Sequence, residues 1–334
     1  MIHLNTLVGG RSVATLLPML EHYQRLGVES YLINVHLSER NDPILEEVRA
    51  ITRHFGVPIS SVFTGNWLEV LRRVYRESRQ SYPDDWHILA DQDEFQVYPM
   101  KLPELETMCN EKKYDYVCGC WVDRLAASGA FLQVDSSRSI WEQFPIGAFL
   151  SYPIAAADPR KVVFARSNVD VCVGQHFAWN GRGCPIDEVF VQVHHFKWVN
   201  GIIAELERRA LLLKQSGYKF NVESTRFVKF FKENGGLANL KDRRILTAEC
   251  GEDYIHWPVI RKWLILLNNY IEIGGHFIPG PSCLSENLVG IEMATNALLS
   301  NIRSRKEVGC DRTQHEDPTF GLEPVRQIWL NSRH

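Results

Sequence analysis

The first third of the chain alternates short β-prone runs with segments of helical periodicity, and few architectures accept that order. Residues 2–7 form a β-prone run. Residues 12–25 carry Val13, Leu16, Leu17, Leu20 and Tyr23 at helical spacing, and Gly27 stops the pattern. Residues 29–37 read as a strand, with Tyr31, Ile33 and Val35 on one face. Residues 43–55 read as a second helix ended by Gly56. Residues 67–79 form a third helix, with Leu68, Leu71, Val74 and Tyr75 on one stripe. Residues 86–90 are an apolar run. A β-α-β-α-α-β order buries its strands on both faces, so the expected fold is α/β with a mainly parallel central sheet flanked by helices.

The middle of the chain is richer in strands, expected over residues 114–124, 131–134, 162–165 and 190–195. A long helix is expected over 199–215, with Ile202, Ile203, Leu206, Ala210 and Leu213 facing inward. Residues 227–233 are helical up to Gly235-Gly236, and two more helices are expected over 257–273 and 286–303. The 334 residues fit about two units at ~150 residues each. The expected division is an α/β unit over 1–235 and a mostly helical C-terminal extension over 236–334.

Composition narrows the function. The net charge of −3 shows no basic excess, so a nucleic-acid partner is not expected. No apolar run approaches the ~18 residues that span a bilayer. The N-terminus lacks the basic segment and apolar core of a signal peptide. Eight cysteines are too sparse for a disulfide scaffold. Cys118 and Cys120 form a C-x-C within a strand, where both side chains share one face. A cytoplasmic protein with reduced thiols is the expectation.

The informative stretch is HILADQDEF, residues 87–95, an apolar strand that runs into Asp91-x-Asp93. In open α/β sheets, ligands bind beyond the carboxyl ends of strands. Two carboxylates there can turn toward one oxygen-seeking cation, Mg²⁺ or Mn²⁺, which keeps positions for substrate phosphate oxygens. The alternative is a polar turn after a buried strand. VQVHHFKW, residues 191–198, reads as a strand whose end carries His195, a second potential metal ligand, with Lys197 placed to meet phosphate. A histidine bonded to backbone is the alternative. GQHFAWNGRG, residues 174–183, suits either a sugar-contacting loop through His176 or a surface turn.

Together these residues resemble a family. WHILADQDEFQVYP resembles the ADxDEF…P signature of bacterial glycosyltransferase family 2-like proteins with the GT-A fold. The stretch from VHHFKW to FFKENGG resembles their HHFKW…ES.RF…F…GG block. The resemblance covers roughly residues 2–236. It implies a GT-A-like unit that binds a nucleotide-sugar donor and a divalent cation, and moves the sugar to the hydroxyl of a carbohydrate or other acceptor. Asp91 and Asp93 match the D-x-D positions that hold the cation, and His195 matches the family's strand-end histidine, expected as a third metal ligand. Asp91, Arg11, Lys197 and His176 are the residues expected to contact the donor. The turns that normally hold base and ribose depart from the family pattern: they read Gly9-Gly10-Arg11-Ser12 and Val35-His36-Leu37-Ser38, with Asp42 a little later.

Glycosyl transfer develops positive charge on the sugar and negative charge on the departing diphosphate, and a metal stabilises the second. Inversion, which the resemblance implies, also requires a carboxylate base facing the acceptor hydroxyl. Asp187 and Glu188, in GCPIDEVF, are the sequence candidates. Two rival readings stand beside this one. A phosphatase with an aspartate nucleophile would have Asp-x-Asp-x-Thr/Val, but the fifth residue here is Phe95. A non-catalytic carbohydrate-binding or scaffolding protein could share the fold.

Overall fold

The computed structural model describes residues 1–9, 13–215, 220–255 and 261. The chain opens with β1 (Ile2–Gly9), α1 (Leu16–Arg25), β2 (Ser30–Leu37), α2 (Ile44–His54), β3 (Ile59–Thr64), α3 (Trp67–Gln80) and β4 (Trp86–Leu89). β4 turns sharply into β5 (Glu94–Val97), followed by α4 (Leu102–Lys112), β6 (Tyr116–Leu125), the short α5 (Ile140–Gln143), β7 (Ile146–Phe149), the short α6 (Ser151–Ala155) and β8 (Arg160–Arg166). The described chain ends with β9 (Val191–His195), α7 (Ile202–Gln215), α8 (Phe220–Glu233) and β10 (Leu246–Glu249).

The strands form one sheet in the order β10-β7-β6-β8-β4-β1-β2-β3, with β9 paired to both β5 and β6. Strands β4, β1, β2 and β3 run parallel, as the strand–helix alternation requires. Beyond β4 the sheet becomes antiparallel through β8, β6, β7 and β10. The fold is therefore α/β with a mixed central sheet whose parallel half is the N-terminal one.

Local chemistry accounts for the main elements. Asn66 caps α3, its Oδ1 accepting from the amides of Leu68 at 2.9 Å and Glu69 at 3.4 Å, a contact that stabilises by about 1 kcal/mol. Leu68, Leu71, Val74 and Tyr75 then pack on Leu7 and Leu89 beneath one sheet face. On the opposite face, Leu16, Met19, Leu20 and Tyr23 of α1 join Leu4, Val8, Ile33 and Trp86. A third cluster joins Leu125 and Ala148 to Trp198, Phe227 and Phe231, which seats α8 beside the end of β9.

Several expectations change. Residues 131–134 are irregular chain, not a strand. Phe131 instead packs edge-on to Phe231, with ring centroids 4.8 Å apart. The alternation Ile59–Thr64, half-exposed on one face, is the edge strand β3, and α8 begins earlier than residue 227. After Gly236 the chain returns to the sheet, where Leu246 to Glu249 pair with Phe149 to Ile146. The helices expected over 257–273 and 286–303 lie outside the described residues.

Candidate functional site

From β1 the chain progresses to one side through β2 and β3, then α3 carries it back across to β4 on the other side of β1. That reversal falls at the carboxyl ends of β1 and β4, the position of the crevice in which α/β sheets bind ligands. Gln92 bridges it: Gly9 N–H donates to Gln92 Oε1 at 3.1 Å, and Gln92 Nε2 donates to the Gly9 carbonyl at 2.9 Å. Gly9 has no room for a side chain, because a Cβ there would lie 2.7 Å from the Trp67 ring and 2.8 Å from the His36 carbonyl.

The turn between β4 and β5 is closed twice. Glu94 N–H donates to the Asp91 carbonyl at 2.9 Å, and Asp91 N–H donates to Glu94 Oε2 at 3.1 Å. The turn sends Asp91 and Asp93 into different surroundings. Asp91 Oδ1 accepts from the Tyr75 hydroxyl at 2.8 Å, and its Oδ2 lies 3.4 Å from Lys161 Nζ. Lys161 is fully buried, and its ammonium also meets Glu94 Oε1 at 2.9 Å and the Gly174 carbonyl at 2.8 Å. Burial works against the Asp91 charge, but Lys161 and the neighbouring hydroxyl and amide groups outweigh it and hold the carboxyl below the usual aspartate range. For Glu94 burial wins and its pKa is raised, although Lys161 pulls the other way. Lys161 is itself kept charged, with burial opposed by Asp91 and Glu94.

Asp93 faces the other way. Its Oδ2 lies 3.7 Å from His195 Nε2. His195 Nδ1 lies 3.1 Å from Asp123 Oδ1, and that oxygen also accepts from Trp198 Nε1 at 2.8 Å and from the Ser151 hydroxyl at 3.0 Å. Asp123 Oδ2 accepts from the amides of Leu150 at 3.2 Å and Ser151 at 2.8 Å. Burial opposes the Asp123 charge, yet His195 and these donors hold its pKa below the ordinary range. A carboxylate so fixed accepts a hydrogen bond from Nδ1–H and turns Nε2 toward Asp93. Trp121 divides the two halves. Its ring stacks on His195 at 4.5 Å and 10°, while its Nε1 donates to Glu94 Oε1 at 2.7 Å.

Of the residues singled out by sequence, Asp93 and His195 are brought together, with Asp91 behind them on Lys161. His176 stands edge-on to Trp121 at 5.3 Å. Its Nδ1 pairs with the Arg160 carbonyl at 2.9 Å, and burial pushes its pKa down to about 4, so its role here is that of a neutral ring. Lys197 follows His195 closely and lies over the rings of Trp198 and Phe227, at 5.3 and 5.7 Å. Arg11 lies outside the described residues. Asp187 and Glu188 are not brought to the cleft. They precede β9, at the opposite end of the strand from His195. Glu188 binds Lys112 and accepts from the Tyr114 hydroxyl at 2.7 Å, and Asp187 lies 3.0 Å from Arg261. Among the described residues, no group of three or more His, Cys, Asp or Glu side chains is placed to hold a metal ion.

No protein-family model matches the sequence, and no curated protein matches it. Solved structures give distant likenesses. HddC from Yersinia pseudotuberculosis is 11% identical, with a TM-score of 0.26 over 41% of this chain and 66% of that one. TarS from S. aureus is 8% identical, with a TM-score of 0.33 over 94% of this chain and 56% of that one. The chain thus spans less than two thirds of either protein. At such scores the likeness says nothing of activity. Among the described residues, no helix is long and apolar enough to cross a membrane.

Proposed function

We propose that the chain is a metal-dependent glycosyltransferase of GT-A-like fold that moves a sugar from a nucleotide-sugar donor to an acceptor hydroxyl with inversion. The observation that carries this reading is the pairing of Asp93 with an oriented His195 at the mouth of the β1–β4 crevice. Two ligands ~2.1 Å from one small cation stand roughly 3–3.5 Å apart, close to the separation found here. The buried carboxylate behind His195 is the usual support of a metal-bound imidazole. Asp91 fits a ligand role less well, since its oxygens face Tyr75 and Lys161. Mg²⁺ or Mn²⁺ accepts two protein ligands and fills its other positions with water and phosphate oxygens.

A bound ion would stabilise the charge on the departing diphosphate. Asp93 and His195 would hold the ion, and Asp123 would keep the imidazole in the correct tautomer. Trp121 would wall the site, and Gln92 would keep the two strand ends together. Lys197 sits within the field of Asp93 and suits contact with a phosphate.

Release of nucleoside diphosphate tests this reading. UDP-, GDP- and dTDP-sugars are offered with Mn²⁺ or Mg²⁺, with water or simple sugars as acceptor. Metal-dependent release that disappears in Asp93→Asn is expected. Release that is unaffected by chelator and by Asp93→Asn would reject the reading.

A further inference from the structure

If the function proposed above holds, the reaction still needs a proton acceptor, and most carboxylates at the cleft are already committed. Asp91 is held by Tyr75 and Lys161, Glu94 by Trp121 and Lys161, and Asp123 by His195, Trp198 and Ser151. Asp93 faces His195. Asp187 and Glu188 stand at the far end of β9. Glu223 remains. It lies half-buried in the first turn of α8, and among the described residues it makes no hydrogen bond or direct ion pair.

Its position follows from the packing of α8. Phe227, one turn further along the same face, packs on Trp198 with ring centroids 4.9 Å apart, and the Trp198 indole binds the Asp123 carboxylate behind His195. Arg226 ties the helix to the Ala155 carbonyl at 2.9 Å. The charged groups around Glu223 are Arg209 from α7, Lys197 from the segment leaving β9, Asp158 from the segment entering β8, and Arg226 of its own helix. Lys197, two residues beyond His195, lies over the Phe227 ring at 5.7 Å, one helical turn from Glu223.

We infer that Glu223 is the general base of the transfer, removing the proton from the acceptor hydroxyl at the α8 side of the cleft. As that proton passes to a Glu223 oxygen, the acceptor oxygen bonds to the anomeric carbon. The bond from that carbon to the phosphate oxygen breaks, and its electron pair leaves with the nucleoside diphosphate. Burial lifts the Glu223 carboxyl to about 7, against the pull of Arg209 and Lys197. A base poised there is ionised in part at neutral pH and holds a transferred proton well.

The test uses the full-length protein and whichever donor of the UDP-, GDP- and dTDP-sugar panel the wild type hydrolyses fastest with Mn²⁺. Glu223→Gln should lower kcat by about 10²–10⁴-fold, with the donor KM little changed and the thermal midpoint near wild type. The wild-type rate should show an acid limb near pH 7 that is absent in the residual rate of Glu223→Gln and retained, at reduced height, in Glu223→Asp. A structural role would shift the thermal midpoint without removing that limb. Wild-type rate and pH profile in Glu223→Gln, while Asp93→Asn is inactive, would overturn the base assignment alone. No donor turnover by the wild type would overturn the transferase reading and this inference with it. If Glu223→Gln does not fold, loss of the limb in Glu223→Asp overturns the assignment.

Discussion

Asp91 and Asp93 are two residues apart on one turn, yet they belong to different regions of the molecule. Asp91 faces a buried ammonium shared with Glu94. Asp93 faces an imidazole whose far side is held by Asp123. One region carries its own cation. The other sets an oriented imidazole beside a carboxylate, and on the proposed function it takes its cation from solution. A repeated residue type in a short motif therefore does not imply a repeated role, because the charge that each side chain meets comes from strands remote in sequence.

The strongest way to break this contrast is to remove the internal cation. Lys161→Met leaves Asp91 and Glu94 facing each other without a counter-ion and should cost about 3–5 kcal/mol in urea unfolding at neutral pH. The pH dependence of the Asp91 contribution should change sign as well. In the wild type, Asp91 has a lowered pKa, so its contribution to stability is present above the ordinary aspartate pKa and is lost as acid titrates it. In Lys161→Met both carboxyls should titrate above their unfolded values, so acidification should recover stability. A variant as stable as wild type would show that the ammonium is not what holds the turn.

Next comes Asp93→Asn, expected to lower metal-dependent turnover by about 10²–10³-fold. It should leave the unfolding midpoint unchanged or slightly higher, since it removes one negative charge from beside Asp91 and Glu94. Metal-induced stabilisation, read as a thermal shift on adding Mn²⁺, should vanish. Asp123→Asn acts one step further back and should weaken Mn²⁺ binding by about 10–100-fold through a misoriented His195. An unchanged titration would place His195 outside the metal shell. The smallest effect is expected at the opposite end of β9, where Glu188→Gln should leave turnover and its pH profile at wild-type values.

The sequence makes one side of this contrast visible. An apolar strand ending in Asp91-x-Asp93, and a strand ending in His195, are legible because each is a local pattern. Lys161 and Asp123 are not, because they act across 70 and 72 residues of sequence. Their signal was present in a weaker form. Each is a charged residue inside an apolar strand, in RKVVF and in WVDRL, where an unpaired charge would be costly. Asp187 and Glu188 show the converse. They lie near His195 in sequence, but β9 separates them from it by its whole length. The parallel half of the sheet was legible from strand–helix alternation. In the antiparallel half β6 and β8 were legible as strands, but β7 and β10 were not, since they are only four residues long each and carry no periodicity of their own.

The return of the chain to the sheet at β10 bears on how the molecule is assembled. β7 pairs with β6 on one side and waits roughly a hundred residues for its other neighbour. The Arg124 guanidinium, fully buried and with no carboxylate partner among the described residues, waits as long: it donates to the Cys250 carbonyl and thiol at 2.7 Å and to the Gly251 carbonyl at 3.0 Å. During synthesis the parallel half can form as it emerges, but the last edge closes only when residue 251 is available. Until then β7 offers an open row of amides and carbonyls to any passing strand. A ribosome that pauses between Gly236 and Leu246 would thus hold a nascent chain with its cleft residues already made and its sheet still adhesive.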